Sequence, residues 1–111
     1  MLILQVVPVT GQDAYKLLRS KVTHEAQTWS WANKAKTRLR HVRVKKGYVE
    51  VAKADGVLVA RVVPTVESDS FFLAEKFIGR LIAWFANEIA AINLQFLPEP
   101  AVRKRTRRRR R

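Results

Sequence analysis

Residues 48–63 read Tyr48-Val49-Glu50-Val51-Ala52-Lys53-Ala54-Asp55-Gly56-Val57-Leu58-Val59-Ala60-Arg61-Val62-Val63, and this stretch decides the fold. Val49 and Val51 stand two residues apart, so an extended chain puts them on one face. Asp55-Gly56 interrupts the run with residues that tolerate positive φ, as both central positions of a type I′ turn require. Val57 to Val63 returns as the partner strand, rich in β-branched side chains that suit a pleated surface. Pro64 ends it, because proline has no amide proton to give a ladder. The reading is a β-hairpin, and a hairpin commits its sheet to antiparallel pairing.

Upstream of the hairpin the chain from Arg38 onward is strand-rich, with Val42 and Val44 alternating with Arg43 and Lys45 until Gly47 breaks the run. The N-terminus is another strand: Leu2, Leu4 and Val6 on one face and Ile3, Val7 and Val9 on the other predict burial on both sides, stopped by Thr10-Gly11. Thr10, with Asp13 three residues later, resembles a helix start. Ala14, Leu17, Leu18, Val22, Ala26 and Trp29 then keep helical spacing, which predicts a helix from about Gln12 to about Ala32.

Downstream, Ser68-Asp69-Ser70 opens a second helix. Its wide apolar stripe runs through Ala74, Phe77, Ile78, Leu81, Ile82, Phe85 and Ile89, with Glu75, Lys76, Arg80, Asn87 and Glu88 opposite. Gly79 within it marks a weak point or a close backbone approach, and the helix is expected to fray near Ala90. Ile92, Leu94 and Phe96 alternate with Asn93 and Gln95, as in a short last strand; a final helical turn is the alternative. The fold class is α+β: a small antiparallel sheet with two helices packed on one face, in the order strand–helix–strands–helix–strand. Pro98 and Pro100 mark the boundary between a single domain over 1–99 and a tail over 100–111.

Charge is segregated along the 111 residues. The chain carries 22 Lys and Arg against 9 Asp and Glu, a net +13. Residues 34–46 hold seven cations and no acid, the tail from 100 holds eight, and the rest sums to slightly below zero. A surface that only needed solubility would mix its signs. Such clustering predicts an acidic partner, phosphate backbones first and anionic membranes second. The tail has almost nothing to bury and is expected to be disordered when free.

Catalytic chemistry has no foothold in the sequence. With no cysteine there is no disulfide, thiolate metal site or cysteine nucleophile. His24 and His41 lack metal-ligand spacing; His24 reads as helix surface, and His41, among Arg40, Val42 and Arg43, as touching phosphate or water. No phosphate-cradling glycine loop is present. Glu67 and Asp69 read as dipole and capping groups at a helix start. The expectation is a protein that is not an enzyme, with no cofactor and no metal. Phe71 to Leu97 is amphipathic and contains four charged residues, so no membrane partner is expected. Met1 to Val9 lacks the basic start of a secretion signal, and the expected location is the cytoplasm.

The candidate RNA-binding residues are therefore Lys34, Lys36, Arg38, Arg40, Arg43, Lys45 and Lys46 in the first block. In the tail they are Arg103, Lys104, Arg105, Arg107, Arg108, Arg109, Arg110 and Arg111. Arginine matches phosphate oxygens with forked donors and stacks on exposed bases. In a strand, Arg38 and Arg40 share one face while Arg43 and Lys45 share another, so aligning all four needs a bulge or loop. Trp29 fits the first helix's stripe and reads as core. Trp31 lies off it and is a candidate for base stacking or an interface. Trp84, with Phe71 and Phe72, widens the second helix's stripe beyond what a small sheet covers and suggests a protein interface.

One resemblance joins these readings. Tyr48-Val49-Glu50-Val51, Leu58-Val59-Ala60-Arg61-Val62, Ser68-Asp69-Ser70 and the helix carrying Arg80-Leu81-Ile82-Ala83-Trp84 resemble the small dimerising subunit family of KEOPS, the archaeal and eukaryotic tRNA-modifying machinery. The likeness spans roughly residues 48–90, more vaguely Leu2 to Val22. It implies a non-catalytic scaffold that forms a homodimer through the second helix. The arginine-rich terminal extension in turn resembles those of ribosomal proteins, which order between rRNA helices. The favoured expectation is a ribosomal or ribosome-associated RNA-binding component. Its partners would be rRNA before tRNA, and other ribosomal proteins or a homodimer partner.

Overall fold

The computed structural model describes residues 2–44, 46–63 and 67–97, with Glu67 and Ser68 as backbone only. Lys45, Pro64, Pro98, Pro100 and the whole tail, including Arg103 to Arg111, lie outside the described residues.

Eight elements follow in chain order: β1 (Leu2–Pro8), α1 (Ala14–His24), β2 (Trp29–Trp31), β3 (Arg38–His41), β4 (Tyr48–Ala54), β5 (Val57–Val63), α2 (Glu67–Phe85) and β6 (Ile89–Phe96). All six strands form one antiparallel sheet in the order β2-β3-β4-β5-β1-β6. The hairpin that decides the fold is present in the expected register, with Ala54 opposite Val57. Asp55 and Gly56 take φ of 52° and 82°, so the turn uses the conformational freedom that singled it out.

The register stacks the core on one face. Val62 lies between Leu2 and Val49, Ala60 between Leu4 and Val51, and Leu58 opposite Val6, all of them buried. Over them pack Ala14, Leu18 and Val22 of α1 and Leu73, Ala74, Phe77, Leu81 and Phe85 of α2. The second face carries Gln5, Arg61, Ala52, Arg38, Asn93 and Gln95, all exposed. β1 is thus buried on one side only, not on two: Ile3 and Val7 are half-buried and Gln5 is exposed, because both helices cover the same face.

The first helix is shorter than its pattern predicts. Asp13, not Thr10, caps it, its carboxylate accepting the Lys16 backbone N–H at 3.1 Å. The helix stops at His24, and Trp29 to Trp31 form β2 instead. Trp29 keeps its core role from a strand: it is 2% exposed, opposite His41 in the register. Cross-strand pairing with β3 gives the aromatics of this segment partners that an extension of α1 would not. α2 likewise ends at Phe85, and Ile89, expected on its stripe, begins β6. The last strand is therefore a strand, eight residues long. Gly79 of α2 meets no close approach; nothing lies within 4 Å of where a Cβ would stand. No helix among the described residues is long and apolar enough to cross a membrane.

Candidate nucleic-acid interface

The basic block of residues 34–46 sits at one edge of the sheet. Lys34 and Lys36 occupy the loop between β2 and β3, Arg38 and Arg40 lie on β3, and Arg43 and Lys46 follow its far end. β3 alternates, so Leu39 and His41 are buried while Arg38 and Arg40 are exposed on the open face. The parity problem between Arg40 and Arg43 is solved by ending the strand at His41: residues 42 and 43 form a turn, closed by Val44 N–H donating to the His41 carbonyl at 3.0 Å. Val42, read as a strand residue, is consequently 61% exposed.

Asn33 shapes the lysine loop. Its Oδ1 accepts from the backbone N–H groups of Thr37 and Arg38, both at 3.1 Å, and its Nδ2 donates to Thr37 Oγ1 at 2.7 Å. Lys36 adopts φ of 57°, an uncommon left-handed conformation for a side chain of its size, and Tyr15 of α1 holds it by donating its hydroxyl to the Lys36 carbonyl at 2.9 Å. The loop that presents both lysines is thus pinned at both ends before any partner arrives. Sequence reasoning missed Asn33 and Tyr15; an Asn four residues before a Thr in a basic loop is the one local signal available.

On the open face two guanidinium groups meet at Glu50. Arg61 donates to Glu50 Oε1 at 2.6 Å, and Arg38 Nε stands 3.5 Å from Oε2. The Arg38 guanidinium also lies over the Tyr48 ring, 4.8 Å from its centroid. The Arg61 hydrogen bond, aided by the charges of Arg61 and Arg38, holds the Glu50 carboxyl below its ordinary range, against a smaller opposing effect of burial. One acid therefore positions two guanidinium groups, and Arg40 beside them has no acidic partner among the described residues. Arg61 and Tyr48 join the site only through the register, which places Arg61 opposite Glu50 across the hairpin.

His41 is buried, not at the surface as its neighbours suggested. It is 5% exposed, with its ring edge-on to Trp29 at 4.9 Å and to Phe72 at 5.2 Å. Its Nδ1 accepts the Arg43 backbone N–H at 3.1 Å, so it organises the turn that carries Arg43. Burial first, then the charges of Arg43 and Lys76, pushes its pKa below the ordinary 6.5. His24 is exposed, as read.

Trp31, a candidate for stacking, is half-buried in β2 and packs against the core, with its Nε1 buried and unpaired among the described residues. Trp84 is half-buried and lines a cleft of about 530 Å³ with Gln12, Lys16 and Glu88. Of its companions, Phe71 is exposed and Phe72 packs on His41. No group of three metal-ligating side chains occurs among the described residues.

No family model, curated protein or solved structure matches this chain. The basic edge is accordingly read from its own chemistry.

Proposed function

We propose that this protein binds RNA through the cationic strip along β3 and through its arginine tail, as a ribosomal or ribosome-associated structural component. The observation that carries the reading is the strip itself. Lys34, Lys36, Arg38, Arg40, Arg43 and Lys46 converge on one sheet edge, and only Arg38 has an acidic partner among the described residues. Loop geometry already set by Asn33 and Tyr15 favours binding, because less freedom is lost when phosphate is engaged. The open face beside the strip offers Tyr48 and three arginines, groups that stack on unpaired bases and pair with phosphates. No base-reading motif accompanies them, so selectivity would come from the shape of the RNA. Continuing past residue 97, the tail adds eight further cations in sequence.

The test is sedimentation of tagged protein from its own cells through gradients at low and high salt, beside a form ending at Pro100. Co-migration with one ribosomal subunit, weakened by high salt and by truncation, is the expected result. Sedimentation near the top of the gradient at both salts overturns the ribosomal assignment, and failure of the purified protein to bind RNA at low salt overturns the wider reading.

A further inference from the structure

Tyr15 of α1 does more than pin the lysine loop. Two cations stand at its ring: the Arg19 guanidinium, 5.6 Å from the centroid, and Lys53 Nζ, at 5.8 Å. Its hydroxyl meanwhile donates to the Lys36 carbonyl. Arg19 follows Tyr15 by four residues in α1, so the helix sets the two on one face. Lys53 comes from near the end of β4. The register places it opposite the buried Leu58, on the helix side of the sheet, whereas Arg38 and Arg40 lie on the open face. The start of α1 is tied to this end of the hairpin by the Ala14 backbone N–H, which donates to the Gly56 carbonyl at 3.2 Å. One corner of the fold therefore gathers residues 19, 36 and 53 from a helix, a loop and a strand.

We infer that this corner is a second phosphate site for RNA, in which Arg19 and Lys53, with Lys36 beside them, bind the backbone on the helix side of the sheet. The site rests on the RNA reading above and extends it to a face that the β3 strip does not reach.

Charge at the corner is unpaired. Arg38 and Arg61 share Glu50, and Lys21 pairs with Glu25, but Arg19, Lys36 and Lys53 form no ion pair among the described residues. Asp13 stands two residues before Tyr15 and Asp55 two residues after Lys53. Asp13 accepts the Lys16 backbone N–H, Asp55 occupies the tight turn, and neither forms an ion pair among the described residues. Cations gathered without an acid repel one another and raise the local potential for an incoming anion.

The means of holding them matters as well. A carboxylate would fix a cation by neutralising it. An aromatic face attracts the cation and leaves its charge intact. Arg19 and Lys53 are both exposed, so their donors stay open to a partner. A forked guanidinium beside a compact ammonium suits phosphate oxygens.

Continuity selects RNA as the partner. Lys36 belongs to the loop that also carries Lys34 and leads into Arg38. A phosphate backbone engaged at Arg38 thus meets further cations on the other side of that loop, and each one neutralised adds to the release of counterions.

The test is a salt titration of RNA binding by the full chain. Arg19→Gln with Lys53→Gln removes two exposed charges from the corner. Lys16→Gln with Arg80→Gln removes one arginine and one lysine from the surroundings of Trp84 and is the charge-matched control. The slope of log affinity against log salt should fall by about 1.4–1.8 in the first variant, for two phosphates left unneutralised, and by less than half as much in the control. Lysine acylation of the wild-type protein, read by mass spectrometry, gives an independent measure: RNA should protect Lys53 and leave Lys16 reactive. Equal slopes in the two variants overturn the site, and so does a Lys53 as reactive with RNA as without it. Poly-glutamate bound as tightly as RNA, with the same loss in the first variant, would assign the corner to carboxylates and overturn it too. In each of these outcomes the wild type still binds RNA, and only this site falls. A wild type that binds no RNA at low salt removes the RNA reading and this site together.

Discussion

Arg61 of β5 and Glu50 of β4 are directly opposed in the hairpin and joined by a 2.6 Å hydrogen bond, on the side of Glu50 away from Arg38. The acid stands between these two cations of the open face, and it decides where both of them point.

Replacing it, as Glu50→Gln, should have two opposed effects. Stability falls by about 0.2–1 kcal/mol, the usual worth of a half-exposed ion pair. Affinity for RNA rises at low salt, since one repulsive charge is gone. The pH dependence follows from the lowered carboxyl pKa. The unfolded chain takes up the proton first, so the contribution is complete above the ordinary value of 4.5 and disappears as pH falls through the lower folded value. Thermal melts between pH 3 and 6 should show a shallower acid loss in Glu50→Gln than in the parent.

His41 gives a second pH window at a different place. Its folded pKa lies below 6.5, so the unfolded chain binds the proton more readily and stability declines as pH drops from above 6.5 toward the folded value. A melting temperature that falls between pH 7.5 and 5.5 is expected. His41→Phe should remove that dependence while keeping the edge contacts with Trp29 and Phe72.

Two glycines should respond in opposite directions to alanine. A Cβ at Gly47 would meet the Val63 carbonyl at 3.1 Å and Leu73 Cδ1 at 3.2 Å. Backbone cannot give way there cheaply, and Gly47→Ala should cost about 1–3 kcal/mol. Gly79 is exposed in the middle of α2 with open space around it, so Gly79→Ala should stabilise by roughly 0.5–1 kcal/mol. Chemical denaturation midpoints measure both.

The cationic strip should reveal itself in salt dependence. Arg38→Gln with Arg40→Gln should weaken RNA binding about equally for all sequences. It should also lower the slope of log affinity against log salt by about 0.7–0.9 for each phosphate that the variant leaves unneutralised. Asn33→Ala removes no charge but unpins the loop. It should weaken binding with the salt slope nearly unchanged, which separates positioning from charge in the same titration.

Local chemistry alone determined a good deal of this protein. Asp55-Gly56 between two valine-rich runs specified the hairpin, because few residue pairs tolerate its turn. The stripe from Ala74 to Phe85 marked α2, while the alternation of Ile92, Leu94 and Phe96 suited β6 but left a final helical turn open until pairing with β1 decided it. Clustering of cations in residues 34–46 and in the tail was plain as well, since charge is a property of composition and needs no fold. What the tertiary structure decided were choices between equally allowed local states. Trp29 suited a helical stripe and a strand alike; pairing with His41 on β3, well along the chain, settled it. His41 stood among cations in sequence yet went inside, because strand alternation and the ring of Phe72 cover it. Arg61, Tyr48, Asn33 and Tyr15 entered the site through register and hydrogen bonds that run between elements. That β6 pairs with β1 alone among the described strands is likewise a property of the assembled sheet. A strand shows no edge until the order of its neighbours is set, and long-range pairing, not local propensity, sets that order.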